Sequence, residues 1–252
     1  MKRGVANAGV LPGRRLRPGG ALTLVLAACV APSTPWRGAS DHEWPALAQA
    51  LDVERAARPK LPWAAGVRAT MRQRATDREL EARGALAVAP GRGLRMILVQ
   101  GPGATALDVW LTPERWRIAS PPMELLRRGG VEAPADLPVG FLRWWFFGPL
   151  RGTLSAVAMD ERGRSAWLLR DGDAELELHQ DVCDRGTLLR VTRRGGGSVE
   201  RVDECRARAA PQVGDRIQYT DEAGLEIELV LESIARTPPP EAFDDPDARA
   251  LP

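Results

Sequence analysis

The sequence predicts a mainly β (α+β) domain in which an antiparallel sheet curls into a barrel or half-barrel. About eleven short extended runs are separated by turn signals at intervals of about eight to twelve residues, a spacing typical of sandwiches and barrels. Apolar and acidic residues alternate over 175–178 and 225–229, so we expect one buried and one solvated face. The 252 residues are 44% hydrophobic and 27% charged, which suits a folded domain and argues against global disorder.

The first 28 residues have the organisation of a secretory signal. Five basic residues and no acidic residue lie in this segment, and the apolar run 21–28 follows the basic part. Residues 26–29 read Leu-Ala-Ala-Cys, which resembles the lipobox of bacterial lipoproteins and implies that Cys29 is acylated and becomes the mature N-terminus. Val30 is not the aspartate linked to inner-membrane retention, so the outer membrane is favoured. The alternative is a buried N-terminal helix with a chance cysteine.

Removal of this leader lowers the formal net charge from +2 to about −3. The remaining arginines are interspersed with acids, as on an ordinary solvated surface, so no nucleic-acid partner is expected. Only two histidines occur, His42 and His179, and the glycine-rich stretches 91–93 and 195–198 do not join a strand to a helix. We therefore expect a protein that is not an enzyme and has no cofactor or metal.

Two segments ahead of the first predicted strand have a different character. Residues 29–58, rich in proline and alanine, are expected to form a flexible tether with a short helix near 44–57. Val67, Met71 and Ala75 recur at intervals of four, which predicts a helix over 63–75.

Two further helical segments are predicted as an insert between strands. One or two helical turns are expected over 123–128, and a strongly apolar helix over 137–147 begins near Pro138 and is ended by a Gly-Pro pair.

The strands are predicted from extended runs between turn residues. The domain is expected to span 59–245, followed by a frayed tail, 246–252. The expected strands are 81–88, 94–100, 105–111, 115–120, 153–160, 165–170, 174–180, 187–192, 199–202, 215–220 and 225–234.

Cys183 and Cys205 form the remaining even pair after Cys29 is assigned to a lipid. Two extended runs around the glycine-rich turn 195–198 predict a hairpin, which would bring the two sulfur atoms together across its open end. An exported protein meets an oxidising compartment, so a disulfide is expected. Free thiols are the alternative, and a metal pair is disfavoured because further ligands at suitable spacing are missing from the sequence.

The order of parts over about residues 60–245 resembles the LolA/LolB-like family of lipoprotein-sorting proteins. Segment 83–88 looks like the family's first strand after the helix, 94–110 looks like its second hairpin, and 142–148 has the Leu-x-x-Trp-x-x-Gly pattern of LolB-type members. The resemblance implies an unclosed β-barrel with a helical lid over a hydrophobic cavity that receives acyl chains.

A hydrophobic-ligand site is accordingly expected between the sheet and the insert. Four consecutive aromatic residues, 144–147, cannot all point in one direction on a helix, so some should face the sheet and others a cavity, a membrane or a partner. Alternatively, these aromatics plug the barrel as a solid core. The expected site residues are Trp110, Trp116, Met123, Leu126, Phe141, Trp144, Trp145 and Phe147.

Together these patterns predict an outer-membrane lipoprotein that faces the periplasm or the cell surface. They do not fix its oligomeric state, for which a monomer is favoured. We expect it to be anchored through an N-terminal lipid and to bind a lipid or a lipoprotein acyl chain, in the service of sorting. The alternative is a structural or protein-interaction lipoprotein of the envelope with a plugged core and no small ligand.

Overall fold

A computed structural model describes residues 37–248, apart from 102, 135, 136, 162, 163, 209 and 236. The leader and the proposed lipidation at Cys29 lie outside the described residues. Two α-helices are present in the described part, α1 (Trp44–Ala57) and α2 (Val139–Phe147), with 3-10 turns at Pro121–Met123 and Pro240–Phe243. The strands are β1 (Arg37–Gly38), β2 (Trp63–Gln73), β3 (Arg78–Ala89), β4 (Gly93–Gln100), β5 (Ala104–Leu111), β6 (Trp116–Ser120), β7 (Leu125–Gly129), β8 (Thr153–Met159), β9 (Ser165–Asp171), β10 (Ala174–Cys183), β11 (Gly186–Gly195), β12 (Ser198–Arg206), β13 (Arg216–Asp221) and β14 (Leu225–Ala235).

All of these strands form one antiparallel sheet with the order β1-β8-β9-β10-β11-β12-β13-β14-β2-β3-β4-β5-β6-β7. Pairing of β14 with β2 joins the C-terminal half of the chain to the N-terminal half. The two edge strands, β1 and β7, do not pair with each other, so the curved sheet remains an unclosed barrel. The predicted fold class is therefore confirmed.

The hydrophobic core lies on the concave face of this sheet. In β14, Ile227, Leu229 and Leu231 are buried and alternate with Glu226 and Glu228, as a half-buried strand requires. Helix α2 packs into the same core, because its side chains from Val139 to Phe146 are mostly buried. The expected helix over 137–147 is thus present.

The helix expected over 63–75 is wrong, because these residues form strand β2. Ala65, Val67 and Ala69 are buried at every second position, as in a strand with one buried face. The interval of four that predicts a helix fits two strand periods equally well, so it does not distinguish the two structures. Pairing along both edges, with β14 and β3, decides in favour of the strand. Gly66 suits that pairing, since a Cβ there would stand 2.5 Å from the Ser233 hydroxyl in the β14 bulge.

The helical turns expected over 123–128 are also wrong beyond a short start. The 3-10 turn covers only Pro121–Met123, and Glu124 ends it in the left-handed region with φ 49°. The chain then continues as β7, which pairs with β6. Together with β1 and β2, this strand raises the number of strands from the expected eleven to fourteen among the described residues.

Helix α1 occupies the expected positions but is not part of a flexible tether. Leu47 and Leu51 are buried in the core, and the indole Nε1 of Trp167 donates a hydrogen bond of 2.8 Å to the Leu47 carbonyl. Arg55 donates to the carbonyls of Leu150 and Gly152. The folded domain therefore includes residues before 59. Neither described helix is long and apolar enough to cross a membrane.

The C-terminal segment packs on the convex face of the sheet, and the packed part extends past the expected domain end at residue 245. Trp110 Nε1 donates a 3.0 Å hydrogen bond to the Phe243 carbonyl. Asp247, placed in the expected frayed tail, lies 3.0 Å from Arg117 and 3.2 Å from Arg128. The tail is therefore docked at least as far as Asp247.

Cys183 and Cys205 form the expected disulfide, with their Cα atoms 6.1 Å apart. They do not lie on the two arms of one hairpin, because Cys183 ends β10 and Cys205 lies in β12, on either side of β11. The β11–β12 hairpin itself is present, as predicted. Asp184 lies beside both sulfur atoms, but the disulfide leaves no thiolate to hold a metal there.

Candidate functional site

A cavity of about 630 Å³ opens on the concave face and is named here the apolar cavity. One end of β2, β3 and β14, parts of β4–β6, the 3-10 turn Pro121–Met123 and the start of α2 form its wall. Most lining side chains are apolar. They include Ala69, Met71, Leu80, Met96, Ala106, Leu107, Val109, Ile118, Met123, Leu125, Leu137, Leu142, Leu225, Ile227 and Leu229.

Small side chains explain why this space is empty of protein. Ala69 and Ala106 are fully buried in the wall, where larger residues would fill the volume. The buried Ser120 hydroxyl donates a 2.7 Å hydrogen bond to the Ala106 carbonyl, so this polar group is satisfied within the wall. The interior therefore offers contact area for an apolar ligand rather than hydrogen bonds.

The mouth of the apolar cavity is polar on one side and apolar on another. The β2–β3 turn brings Arg72, Thr76 and Arg78 to the rim, and Arg72 pairs with Asp77 at 2.7 Å. Met123 lines the cavity and is 59% exposed. This arrangement suits an amphiphile with an apolar part inside and a polar part at the solvent boundary.

Helix α2 is fixed to the β12–β13 wall by stacking and by a shared carboxylate. Phe141 stacks on Tyr219 with ring centroids 4.1 Å apart. Trp144 Nε1 and the Tyr219 hydroxyl donate hydrogen bonds of 3.0 Å to the two oxygens of Glu200. Burial and the Glu200 carboxylate raise the pKa of Tyr219 above its ordinary value, so the phenol stays protonated as a donor.

The four consecutive aromatics of α2 do diverge. Trp144 reaches Glu200, whereas Trp145, Phe146 and Phe147 border a separate pocket near the end of the helix. Trp145 and Phe146 are also buried in the core. Arg58 lies over the Trp145 ring, with its Cζ 5.1 Å from the centroid. The aromatics thus fill part of the barrel, while the apolar cavity remains at the first turn of α2.

Of the expected ligand-site residues, Met123 lines the apolar cavity. Its neighbour Leu125 lines it too, whereas Leu126 points elsewhere and is 58% exposed. Trp110 lies on the convex face against the C-terminal segment. Trp116 is buried in the core and donates a 3.0 Å hydrogen bond to the Glu132 carbonyl.

Phe141, Trp144, Trp145 and Phe147 lie on α2 outside the lining of this cavity. The residues missed by sequence reasoning are ordinary strand residues such as Met71, Leu107 and Ile227. Alternation over 225–229 is a signal for Ile227, but the assignment of β2 to a helix conceals Met71.

No family model and no curated protein matches this sequence. Among solved structures, one similar chain is described as a putative outer membrane lipoprotein-sorting protein domain from Vibrio parahaemolyticus. It has a TM-score of 0.50 and 11% identity, over 79% of this chain and 95% of that chain. A LolA superfamily protein from Nitrosomonas europaea has a TM-score of 0.44 and 12% identity, over 80% of this chain and 98% of that chain. An uncharacterized conserved protein from Thermus thermophilus has a TM-score of 0.39 and 16% identity, over 77% of this chain and 90% of that chain.

The chain thus shares the fold of the Vibrio domain, and its sheet is the unclosed barrel that the sequence predicts. At 11% identity, the likeness to the Vibrio domain establishes the fold alone.

Proposed function

We propose that this protein is a membrane-anchored lipoprotein of the bacterial envelope that binds an acyl chain, from a lipid or a lipoprotein, in the apolar cavity. The observation that carries the proposal is an apolar-walled space of about 630 Å³ with a partly charged mouth. The description of the similar Vibrio domain as lipoprotein-sorting supports a role in sorting at the outer membrane. The proposed role is binding and transfer, without a chemical step.

The size and lining of the cavity support this ligand class. A methylene group is about as large as a water molecule, whose share of the liquid is about 30 Å³, so 630 Å³ has room for roughly 20 methylenes. Burial of about ten methylenes contributes about 8 kcal/mol. The cost of association offsets several kcal/mol of this. The remaining 4–5 kcal/mol, roughly, corresponds to a Kd on the order of 0.1–1 mM, which suits a carrier that must also release its ligand.

Two exposed residues of the same segment provide a matched test. Met123→Asp places a carboxylate on the cavity rim, whereas Leu126→Asp adds the same charge to a similarly exposed position that does not line the cavity. Titration with a fluorescent fatty acid should show about tenfold weaker binding for Met123→Asp and wild-type binding for Leu126→Asp.

Equal binding by the two variants would contradict the proposal for this cavity. A wild-type protein that is free of lipid in native mass spectrometry and ignores the fatty-acid probe would favour the alternative, a structural or interaction lipoprotein.

The anchoring part of the proposal rests on residues 26–29. Cys29→Ala should release the protein from the membrane fraction, and wild-type protein should carry acyl mass on Cys29. Unchanged fractionation of Cys29→Ala would overturn the anchor and leave the cavity proposal standing, because the two tests share no residue.

A further inference from the structure

A second pocket lies at the opposite end of the strands that form the apolar cavity. Trp63 at the start of β2 and Leu231 near the end of β14 line it, whereas Met71 and Leu225, at the other ends of these strands, line the apolar cavity. Its volume is about 170 Å³, and the end of α2 forms part of its wall. This space, named here the arginine pocket, has no part in the proposed acyl-chain site.

The lining of the arginine pocket carries more positive than negative charge. Its acidic side chains are Glu204 and Asp215, and Glu54 stands behind them. The cationic side chains are Arg55, Arg58, Lys60, Arg206 and Arg208.

Most of the negative charge is already matched within the protein. Asp215 accepts hydrogen bonds from the backbone amides of Ala207 at 3.1 Å and Gln212 at 2.8 Å. Arg206 is paired with Glu54. Glu204 is paired with Arg58, whose Nη1 lies 2.8 Å from Oε2. These pairs do not include Lys60 and Arg208, the two exposed cations of the lining.

Arg58 lines this pocket and has two hydrogen-bond donors that the protein does not use. Its Nη1 lies 2.8 Å from Glu204 Oε2, and its guanidinium lies over Trp145. The Nε and Nη2 atoms are buried and make no hydrogen bond, since Glu54 Oε1 is 3.7 Å from Nη2. These two atoms form the side of the guanidinium that holds an oxyanion through two parallel hydrogen bonds. Burial of such donors without an acceptor is unfavourable, and an oxyanion that reached them after a rotation of the Arg58 side chain into the pocket would remove that cost.

Two further cations are available at the same pocket. Lys60 and Arg208 are exposed, and neither has an ion-pair partner within the part of the chain that the structure describes. With Arg58 they surround a space of about 170 Å³, which is roughly the volume of five or six water molecules. Trp63, Trp145 and Phe147 shield it on the apolar side.

We propose that the arginine pocket is an anion site that binds a phosphate group. Three cationic side chains around a compact space match a tetrahedral group with several charged oxygens better than a planar carboxylate, which has only two. The phosphate belongs either to a small soluble molecule or to a phospholipid headgroup, and both sources offer the same oxygens to Arg58, Lys60 and Arg208.

The test uses the full chain and two probes at low ionic strength. Inorganic phosphate is titrated by calorimetry, and vesicles of phosphatidylglycerol are compared with vesicles of phosphatidylcholine by co-sedimentation. The double variant Lys60→Gln with Arg208→Gln removes only exposed charges and should bind the preferred probe at least about tenfold more weakly. Arg83→Gln is the matched control, because Arg83 is an exposed cation outside the pocket.

Arg58→Lys keeps the charge but loses the two-donor edge and should also weaken binding. Loss of phosphate binding in the pocket variants supports a soluble ligand, and loss of binding to phosphatidylglycerol vesicles supports a headgroup. The proposal is overturned if neither probe binds the wild type, or if the pocket variants bind as well as Arg83→Gln. In protein without bound fatty acid, Met123→Asp should leave both measurements unchanged, so this result is independent of the acyl-chain test.

Discussion

Replacement of Glu200 by alanine should loosen the attachment of α2 to the barrel wall. Glu200 accepts hydrogen bonds from Trp144 and Tyr219 at 3.0 Å each and from Arg193 at 3.1 Å. Tyr219 is 3% exposed, so its hydroxyl has no ready access to water once the carboxylate is gone. The variant therefore removes two bonds to a charged group and leaves the buried Tyr219 hydroxyl with Asp221 as its remaining nearby carboxylate, at a less favourable geometry.

The expected loss of unfolding free energy is about 3 kcal/mol. A buried unsatisfied donor costs about 1–3 kcal/mol, and a hydrogen bond to a charged group contributes about 1.5–3 kcal/mol. Arg193 adds little, because a partly exposed ion pair contributes about 0–1 kcal/mol. These terms overlap, so their sum is not expected in full.

Urea denaturation followed by tryptophan fluorescence measures this loss. Glu177→Ala is the control, because Glu177 on β10, two strands from β12, is 37% exposed and also has two side-chain partners, His179 and Arg194. Its removal should cost less than about 1 kcal/mol. The role of Glu200 in holding α2 would be refuted if the unfolding free energies of Glu200→Ala and Glu177→Ala differed by less than about 0.5 kcal/mol, which is roughly the additivity error.

Three further predictions concern other parts of the fold. Replacement of both Cys183 and Cys205 by serine should lower the unfolding free energy by about 3 kcal/mol, because the bridge closes a loop with a sequence separation of 22. An unchanged urea midpoint would contradict this. Burial raises the pKa of Glu204 above its ordinary value of 4.5. The contribution of Glu204 to stability is therefore complete below pH 4.5 and is lost as the pH rises through the folded pKa. Glu204→Gln should flatten this decline in a series of urea midpoints, and an unaltered pH profile would count against it. Truncation after residue 238 should red-shift tryptophan emission, because Trp110 loses the Phe243 carbonyl and its cover, and an unshifted spectrum would show that the segment does not shield Trp110.

The sequence predicts most of this fold because its signals are local. Helix α2 is recognisable from a proline at its start, a Gly-Pro pair at its end and a continuous apolar run. Strand β14 is recognisable from strict alternation. Strand β2 is mistaken for a helix because its apolar residues at intervals of four fit both periods, and its pairing with β14 is a contact between residues far apart in the chain.

The candidate site is less visible in the sequence than the fold. The eight expected site residues stand out by size and apolarity, yet the cavity is lined mainly by ordinary leucine, isoleucine and methionine side chains and by two buried alanines. Alanines such as Ala69 and Ala106 carry no distinctive signal, and only the sheet register brings them to the same space. Bulky residues such as Trp110 and Phe141 instead fill the structure elsewhere.

The length of α2 connects the two proposed sites. Its nine residues span about 14 Å at 1.5 Å per residue, whereas the eleven residues of β14 span about 36 Å at 3.3 Å per residue. Even with the tilt of barrel strands, one short helix cannot fill the concave face from end to end. Leu142 near its start borders the apolar cavity, and Trp145 near its end borders the arginine pocket. A ligand that shifts α2 at one end must therefore disturb the wall of the other pocket, so coupling between fatty-acid and phosphate binding follows if the helix moves as a unit.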